Sequence, residues 1–335
     1  MIRKNGGIYL IAEIGGNHEG DFDKAVELLH QAADAGADAV KFQIYTGDSL
    51  VNKIEDPARV KHFDRFALSE EQYVKLALEC KSRDVDFCAS VWSERLIKKF
   101  SDYMPFIKIG SGDLTAFPIL KKLAKLNKPI ILSTGLATMD EVESSIEYLC
   151  NVNSCYKKPD MLAILQCTSM YPIPDCDAHL SVITSLKKKF PYRIGYSDHT
   201  KSTYAVELAI ALGSSILEVH FTDNKESSTF RDHQVSFTSN DLLELRLKIN
   251  TIHELLGDGI KRPMLSEIKS GHLDSFRRAL YPKHTIEMGH VVEEDDLTAL
   301  RPAHGLGAEN IMSVVGKSTT RRLSELQMIS MDDFS

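Results

Sequence analysis

Glu13, Lys41, Lys108 and Glu218 each interrupt a short run of apolar residues, within Ile11–Ile14, Val40–Phe42, Ile107–Ile109 and Leu217–Val219. A charge inside such a run is costly unless it is partnered, so these four demand a purpose. The bland reading of any one of them is a buried ion pair, such as Glu13 with Lys41 on adjacent strands. The polar residues nevertheless gather: Gln43, Ser90, Ser111, Ser133, Thr134, Thr168, Ser169, Tyr171, Ser197, Asp198, His199 and His220 lie at or just past the ends of apolar runs. Independent ion pairs have no reason to collect there. Lys41 and Lys108, with the hydroxyls of Ser90, Ser111, Ser133 and Ser197, make a cradle for phosphate and carboxylate groups, the ammoniums supplying charge and the hydroxyls directed donors. His199 and His220 end consecutive runs and can converge on one divalent cation, leaving its other positions to water and a substrate oxygen as an open Lewis-acid site. His18 has two readings, a residue of the same mouth or a hydrogen-bonded core residue.

The elements that must position these residues recur eight times as an apolar run followed by an amphipathic stretch. The runs are Tyr9–Ile14, Ala39–Ile44, Asp86–Val91, Phe106–Ile109, Ile130–Thr134, Met161–Cys167, Arg193–Tyr196 and Ile216–Thr222. Nearly continuous hydrophobicity predicts parallel strands covered on both faces. Between them Val26, Leu29, Ala33 and Gly36 predict one helical face, Ser69-Glu70-Glu71 a capped helix start, and Asp241–Leu255 the last helix. Eight alternations over about 255 residues predict an α/β fold of the (β/α)8 TIM-barrel type. An open doubly wound sheet is the structural rival, but Gly15-Gly16-Asn17-His18-Glu19-Gly20 after the first run is not its G-x-G-x-x-G turn. The expected division is a barrel over 1–256, a polar linker over 257–275 and a small unit over 276–335, whose short strand-like pieces and turns need something larger to pack on.

The 335 residues, 43% hydrophobic and 26% charged with a net charge of −7, suit a globular protein and give no reason to expect nucleic-acid or anionic-membrane binding. Cys80, Cys88, Cys150, Cys155, Cys167 and Cys176 show no C-x-x-C spacing and read as buried free thiols in a reducing cytoplasm. Met1–Lys4 is basic, but Ile8–Ala12 is too short for a signal segment, and no run reaches the length of a membrane span.

These residues sit in motifs that resemble the sialic acid synthase family along nearly the whole chain. The matching stretches are Ile11–Gly20, Val40–Gln43, Ile107–Asp113, Ile131–Gly135, Cys167–Pro174, Gly195–Thr200 and Glu218–Thr222, seven in order and each at a predicted strand end. In the tail, Arg277-Arg278, Leu300–Gly305 and Val315–Lys317 resemble the antifreeze-protein-like SAF domain, a β-clip, that follows the barrel in this family. The resemblance implies a transferase condensing phosphoenolpyruvate with an N-acetylmannosamine-like aldehyde, with N-acetylneuraminate as the first product to consider and legionaminate or pseudaminate as alternatives. It implies a divalent metal on His199 and His220, typically manganese, with magnesium or cobalt possible in its place. Lys41, Ser90, Lys108, Ser111, Ser133 and Ser197 would hold phosphoenolpyruvate with Ser169 nearby. Gln43, Asp113, Tyr171 and Asp232 would contact the sugar, and Glu13 would act at the reacting centre. The family's domain-swapped homodimer would bring Arg301 to the sugar in the partner's site.

Some positions depart from the family pattern. Ser169 stands where one branch has Asn and Ser90 where it has Thr, both keeping hydrogen-bonding ability. Asp113 replaces a frequent Glu, and Phe230-Arg231-Asp232-His233 replaces a Gly-Pro-Asp-type sequence, both where sugar is read. Two rival functions are a metal-dependent barrel hydrolase or lyase, which would carry an H-x-H on the first strand, and a non-catalytic sugar-binding protein, which would not keep Glu13, Lys41, Lys108 and both histidines.

Overall fold

The computed structural model describes residues 7–226 and 230–335; the basic Met1–Lys4 lies outside the described residues. The chain divides into two compact units, Met1–Gly257 and Asp258–Ser335.

In the first unit eight strands alternate with helices: β1 (Tyr9–Gly15), β2 (Ala39–Ile44), β3 (Asp86–Val91), β4 (Ile107–Ile109), β5 (Ile130–Ser133), β6 (Leu162–Cys167), β7 (Arg193–Asp198) and β8 (Ile216–His220). All ladders are parallel, in the order β3-β2-β1-β8-β7-β6-β5-β4. The two end strands, β3 and β4, lie side by side and complete a TIM-like ring. The strands are buried along nearly their whole length because one face meets the ring interior and the other the surrounding helices.

The two-residue period of a strand sorts the interior into layers. Tyr9 and Ile11 on β1, Ala39 on β2, Cys88 on β3, Ile131 on β5, Ala163 and Leu165 on β6 and Ile216 on β8, with Phe106 just before β4, form a closed apolar cluster. One inward step further along, the same strands present Glu13, Lys41, Ser90, Lys108, Ser133 and Glu218. The interior is therefore apolar at one end and polar at the C-terminal end of the strands.

Helices begin where side chains satisfy the free N–H groups of the first turn. Asp21 accepts from Asp23 N and Lys24 N, and Ser69 with Gln72, Thr138 with Glu141 and Thr238 with Asp241 form capping boxes. The first helix, Phe22–Asp34, turns Ala25, Leu28, Leu29 and Ala32 inward, so the stripe predicted from Val26, Leu29, Ala33 and Gly36 is rotated. Gly36 lies past the helix end at φ +90°, a turn residue rather than a packing one. β7 runs on to Asp198, while β8 stops at His220 because Phe221 turns to bridge with Phe237. Two helices not foreseen, Gly47–Leu50 and Pro57–Phe66, stand between β2 and the expected helix Glu70–Ser82.

In the second unit, the stretch 257–275 expected to be a linker carries helices Leu265–Lys269 and His272–Ser275. Beyond it β9 (Ala279–Pro282) and β10 (Leu297–Leu300) pair antiparallel over a core including Leu280, Ile286, Val292, Val314 and Leu323. Arg301 stacks over Phe276 in this unit, 5.3 Å from the ring centre. All six cysteines are free. Cys80, Cys88 and Cys167 are buried as expected; Cys150 and Cys155 are half-buried and Cys176 is exposed, which corrects a uniform buried reading. No helix of the described residues is long and apolar enough to cross a membrane.

Candidate active site

A cavity of about 1080 Å³ opens at the polar end of the ring. Glu13, Lys41, Gln43, Ser90, Lys108, Ser111, Asp113, Ser133, Ser169, Tyr171, Ser197, His199, His220 and Asp232 all line it, so every predicted site residue of the first unit is brought together. Arg301 alone of the predicted set belongs to the second unit.

The floor is a network of four charges. Lys41 Nζ lies 2.7 Å from Glu13 Oε2 and 3.7 Å from Glu218 Oε1, and Lys108 Nζ lies 3.4 Å from Glu218 Oε1. Lys108 also donates to Ser133 Oγ at 2.7 Å, and Ser197 donates to Glu218 Oε1 at 3.2 Å. The buried Glu13–Lys41 pair is thus real, yet it is one edge of a larger cluster. The two carboxyls differ. Burial opposes ionisation of Glu218, but Lys108 and Lys41 overcome it and push its pKa down to about 2. Burial dominates at Glu13, with Glu218 adding to it, and raises that carboxyl above its ordinary range despite Lys41 and the 2.8 Å hydrogen bond donated by Gln43. For Lys41 burial acts downward, but Glu13 and Glu218 prevail and keep it charged. Two lysines against one firmly ionised carboxylate bias the floor toward binding an anion.

The rings of His199 and His220 stand 5.3 Å apart, centre to centre, with Tyr171 packed on both at 4.1 and 5.5 Å. His199 Nδ1 lies 2.6 Å from the carbonyl of Thr168, which fixes the ring and leaves Nε2 for another partner. Burial pushes the His220 imidazole down to about 4, so it is neutral at pH 7, the form that ligates metals. His220 Nδ1 and Glu218 Oε2 are buried in the cavity wall without a hydrogen-bond partner among the described residues. Buried polar atoms are normally satisfied, so such atoms point to a ligand or water. The donor set fits a divalent cation held by two imidazoles; among the described residues no group of three His, Cys, Asp or Glu side chains assembles around one point.

His18 is buried outside the cavity lining, its Nδ1 accepting from Gly20 N at 3.1 Å, so its core reading holds. Asp198 is likewise a turn-builder, accepting from Thr200 N and Tyr196 OH at 3.0 Å each. The residues sequence reasoning missed lie at the rim. Leu50, Arg59, His62 and Phe63 come from the two unforeseen helices, and Trp92 adjoins a predicted strand, whereas Phe230 and Arg231 belong to the stretch already expected where sugar is read. Trp92 follows Ser90 by one strand period, a signal that was present. Phe230 packs against Gly16, where an added Cβ would lie 2.7 Å from its ring.

Gly135 lets the end of β5 close on its neighbours: its N–H donates to Ser111 Oγ at 3.0 Å, and a Cβ there would lie 2.3 Å from Ser169 Oγ and 2.8 Å from Ser111 Oγ. Gly135→Ala is expected to displace both serines and lower kcat/KM by about a hundredfold with little change in thermal midpoint, measured by steady-state kinetics beside circular dichroism.

The NeuB family matches residues 28–261 and the SAF domain residues 277–335. The chain belongs to the NeuB family. This NeuB-family protein is similar to the N,N'-diacetyllegionaminic acid synthase of Campylobacter jejuni, 34% identical over 333 residues that cover 96% of this chain and 98% of that one. It is similar to the human N-acetylneuraminate-9-phosphate synthase at 31% identity, over 95% and 90% of the two chains. Among solved structures, the N-acetylneuraminic acid synthetase of Leptospira borgpetersenii superposes with a TM-score of 0.73 at 29% identity, covering 79% of this chain and 90% of that one. Membership makes the protein an enzyme, a condensing synthase of the sialic-acid type, with a TIM-like barrel and a C-terminal SAF domain.

Proposed function

We propose that this protein condenses phosphoenolpyruvate with an N-acetylmannosamine-like aldehyde, releases phosphate and forms N-acetylneuraminate. The observation that carries the reading is the anion-biased floor of Lys41 and Lys108 in the same cavity as the two histidines. Lys108 and Ser133, with Lys41, Ser90, Ser111, Ser169 and Ser197, bind the phosphate and carboxylate of phosphoenolpyruvate and offset their charge as bonds change. Gln43, Asp113, Tyr171 and Asp232 orient the amino sugar above it. A divalent cation, manganese by family resemblance, supplies Lewis-acid polarisation of the aldehyde when held by His199 and His220. Carbon three of phosphoenolpyruvate then bonds to the aldehyde carbon, and water adds at carbon two. Glu13, whose raised pKa makes it the stronger base of the two floor carboxyls, takes the proton from that water. Phosphate leaves by C–O cleavage. The protein works in the cytoplasm as a domain-swapped homodimer in which Arg301 serves the partner's site.

A second reading, a legionaminate synthase, is favoured by two relatives of that name at 34% and 32% identity. Full-length protein with manganese, phosphoenolpyruvate and, in turn, N-acetylmannosamine or the hexose precursors of legionaminate and pseudaminate tests both. Phosphate release with the matching product mass is expected for one sugar above the others. Silence with all of them rules the synthase reading out.

A further inference from the structure

The chain contains one tryptophan, and it stands at the cavity mouth. Trp92 immediately follows β3, and its indole Nε1 donates to Asp113 Oδ2 at 2.5 Å. Asp113 closes the turn Ser111–Asp113 that follows β4. β3 and β4 are the two ends of the hydrogen-bonded strand order, so this bond ties the mouth together where the backbone ladder does not. The other carboxylate oxygen of Asp113 has no hydrogen-bond partner among the described residues, and the side chain lines the cavity. Behind the indole stands Tyr45, 5.7 Å away centre to centre, which in turn meets Phe63 edge-on at 5.2 Å. The aromatic backing limits how far Trp92 can turn, and Trp92 limits how far Asp113 can turn. A carboxylate that is shorter than Glu and anchored on one side presents its free oxygen in one direction.

We propose that Trp92 is a positioning residue for the second substrate: it fixes Asp113 so that the free oxygen accepts a hydrogen bond from a hydroxyl or acylamino N–H of an N-acylated amino sugar. The identity of that substrate rests on the proposed function; the tie between Trp92 and Asp113 does not. One charge-assisted hydrogen bond lost through disorder of its acceptor corresponds to about a tenfold change in affinity.

The test compares full-length wild type with Trp92→Phe, Asp113→Asn and the double variant, titrating amino sugar and phosphoenolpyruvate separately. Trp92→Phe keeps the ring and removes the N–H. It is expected to raise KM for the amino sugar about tenfold, with a clearly smaller change in KM for phosphoenolpyruvate, and the double variant should be no worse than Asp113→Asn alone. Equal rises in both KM values, or losses that multiply in the double variant, overturn the proposal, because they are what a purely structural tie at the mouth would give. Emission from the lone indole supplies a readout that needs no turnover. Asp113→Asn should shift it without ligand, and amino sugar should change it saturably in wild type; an indole indifferent to both also overturns the proposal. If no sugar yields phosphate while the indole still responds saturably to one of them, the synthase reading fails and the positioning role of Trp92 stands.

Discussion

Replacing Lys108 by Met is expected to lower kcat/KM by about a thousandfold while the barrel stays folded. Lys108 Nζ is buried on the cavity floor, 2.7 Å from Ser133 Oγ and 3.4 Å from Glu218 Oε1. Removing it leaves Glu218 with Lys41 at 3.7 Å, so no carboxylate is stranded, and Met fills most of the volume of the lysine stem. The floor then holds one ammonium against one firm carboxylate, and its bias toward an anion is gone. Losing one preorganised charge from a water-poor site costs about a hundred- to a thousandfold in rate, and here the loss falls on binding of the anion as well. Both kcat and KM for phosphoenolpyruvate should worsen. A variant with kcat/KM within a few-fold of wild type would show that the anion is bound elsewhere.

Glu218→Ala is expected to act on stability first, lowering the unfolding free energy by about 3–5 kcal/mol. Its carboxylate is the only one on the floor held firmly ionised, and it stands between two buried ammoniums. Without it Lys41 retains Glu13, but Lys108 is left with neutral partners, and an uncompensated buried charge is the costly outcome. Urea unfolding followed by the single indole, Trp92, reports on the unit that contains the network. A second substitution, Lys108→Met, should recover part of the loss by removing the stranded charge, and two purely additive losses would contradict this coupling. The pH dependence follows from the same pair. A carboxyl pushed down to about 2 adds stability that is complete above its unfolded value of 4.5 and is lost as the pH falls toward 2. Glu218→Ala should abolish that part of the acid dependence.

The site was readable where a strand carried it. Glu13, Lys41, Lys108 and Glu218 stood out because a charge in a doubly covered strand has few explanations, and Ser90, Ser133, Ser197 and His220 stood out because they lie at or just past the ends of the same apolar runs. The helical parts were less readable. The stripe on Phe22–Asp34 was misjudged because Ala25 and Ala32, small residues that carry little hydrophobic signal, belong to its buried face. Pro57–Phe66 gives a weak local signal because half of its residues are polar and only Phe66 is fully buried; its contribution of Arg59, His62 and Phe63 to the cavity lining depends on where it folds back, which no local pattern encodes. The hydrogen bond between Trp92 and Asp113 spans 21 residues and depends on β3 and β4 meeting, a property of ring closure rather than of either strand.

The apolar layer of Tyr9, Ile11, Ala39, Cys88, Phe106, Ile131, Ala163, Leu165 and Ile216 stops the ring at its N-terminal end. The chamber above it is therefore closed at that end by side chains, and opens toward the polar end of the ring. Under the proposed function, a molecule bound against Lys108 and Ser133 would enter before one bound at Gln43 and Asp113, and after reaction the outer occupant would bar the way of the inner. The same few apolar side chains that pack the strands together would thereby impose a sequence on the events of each turnover.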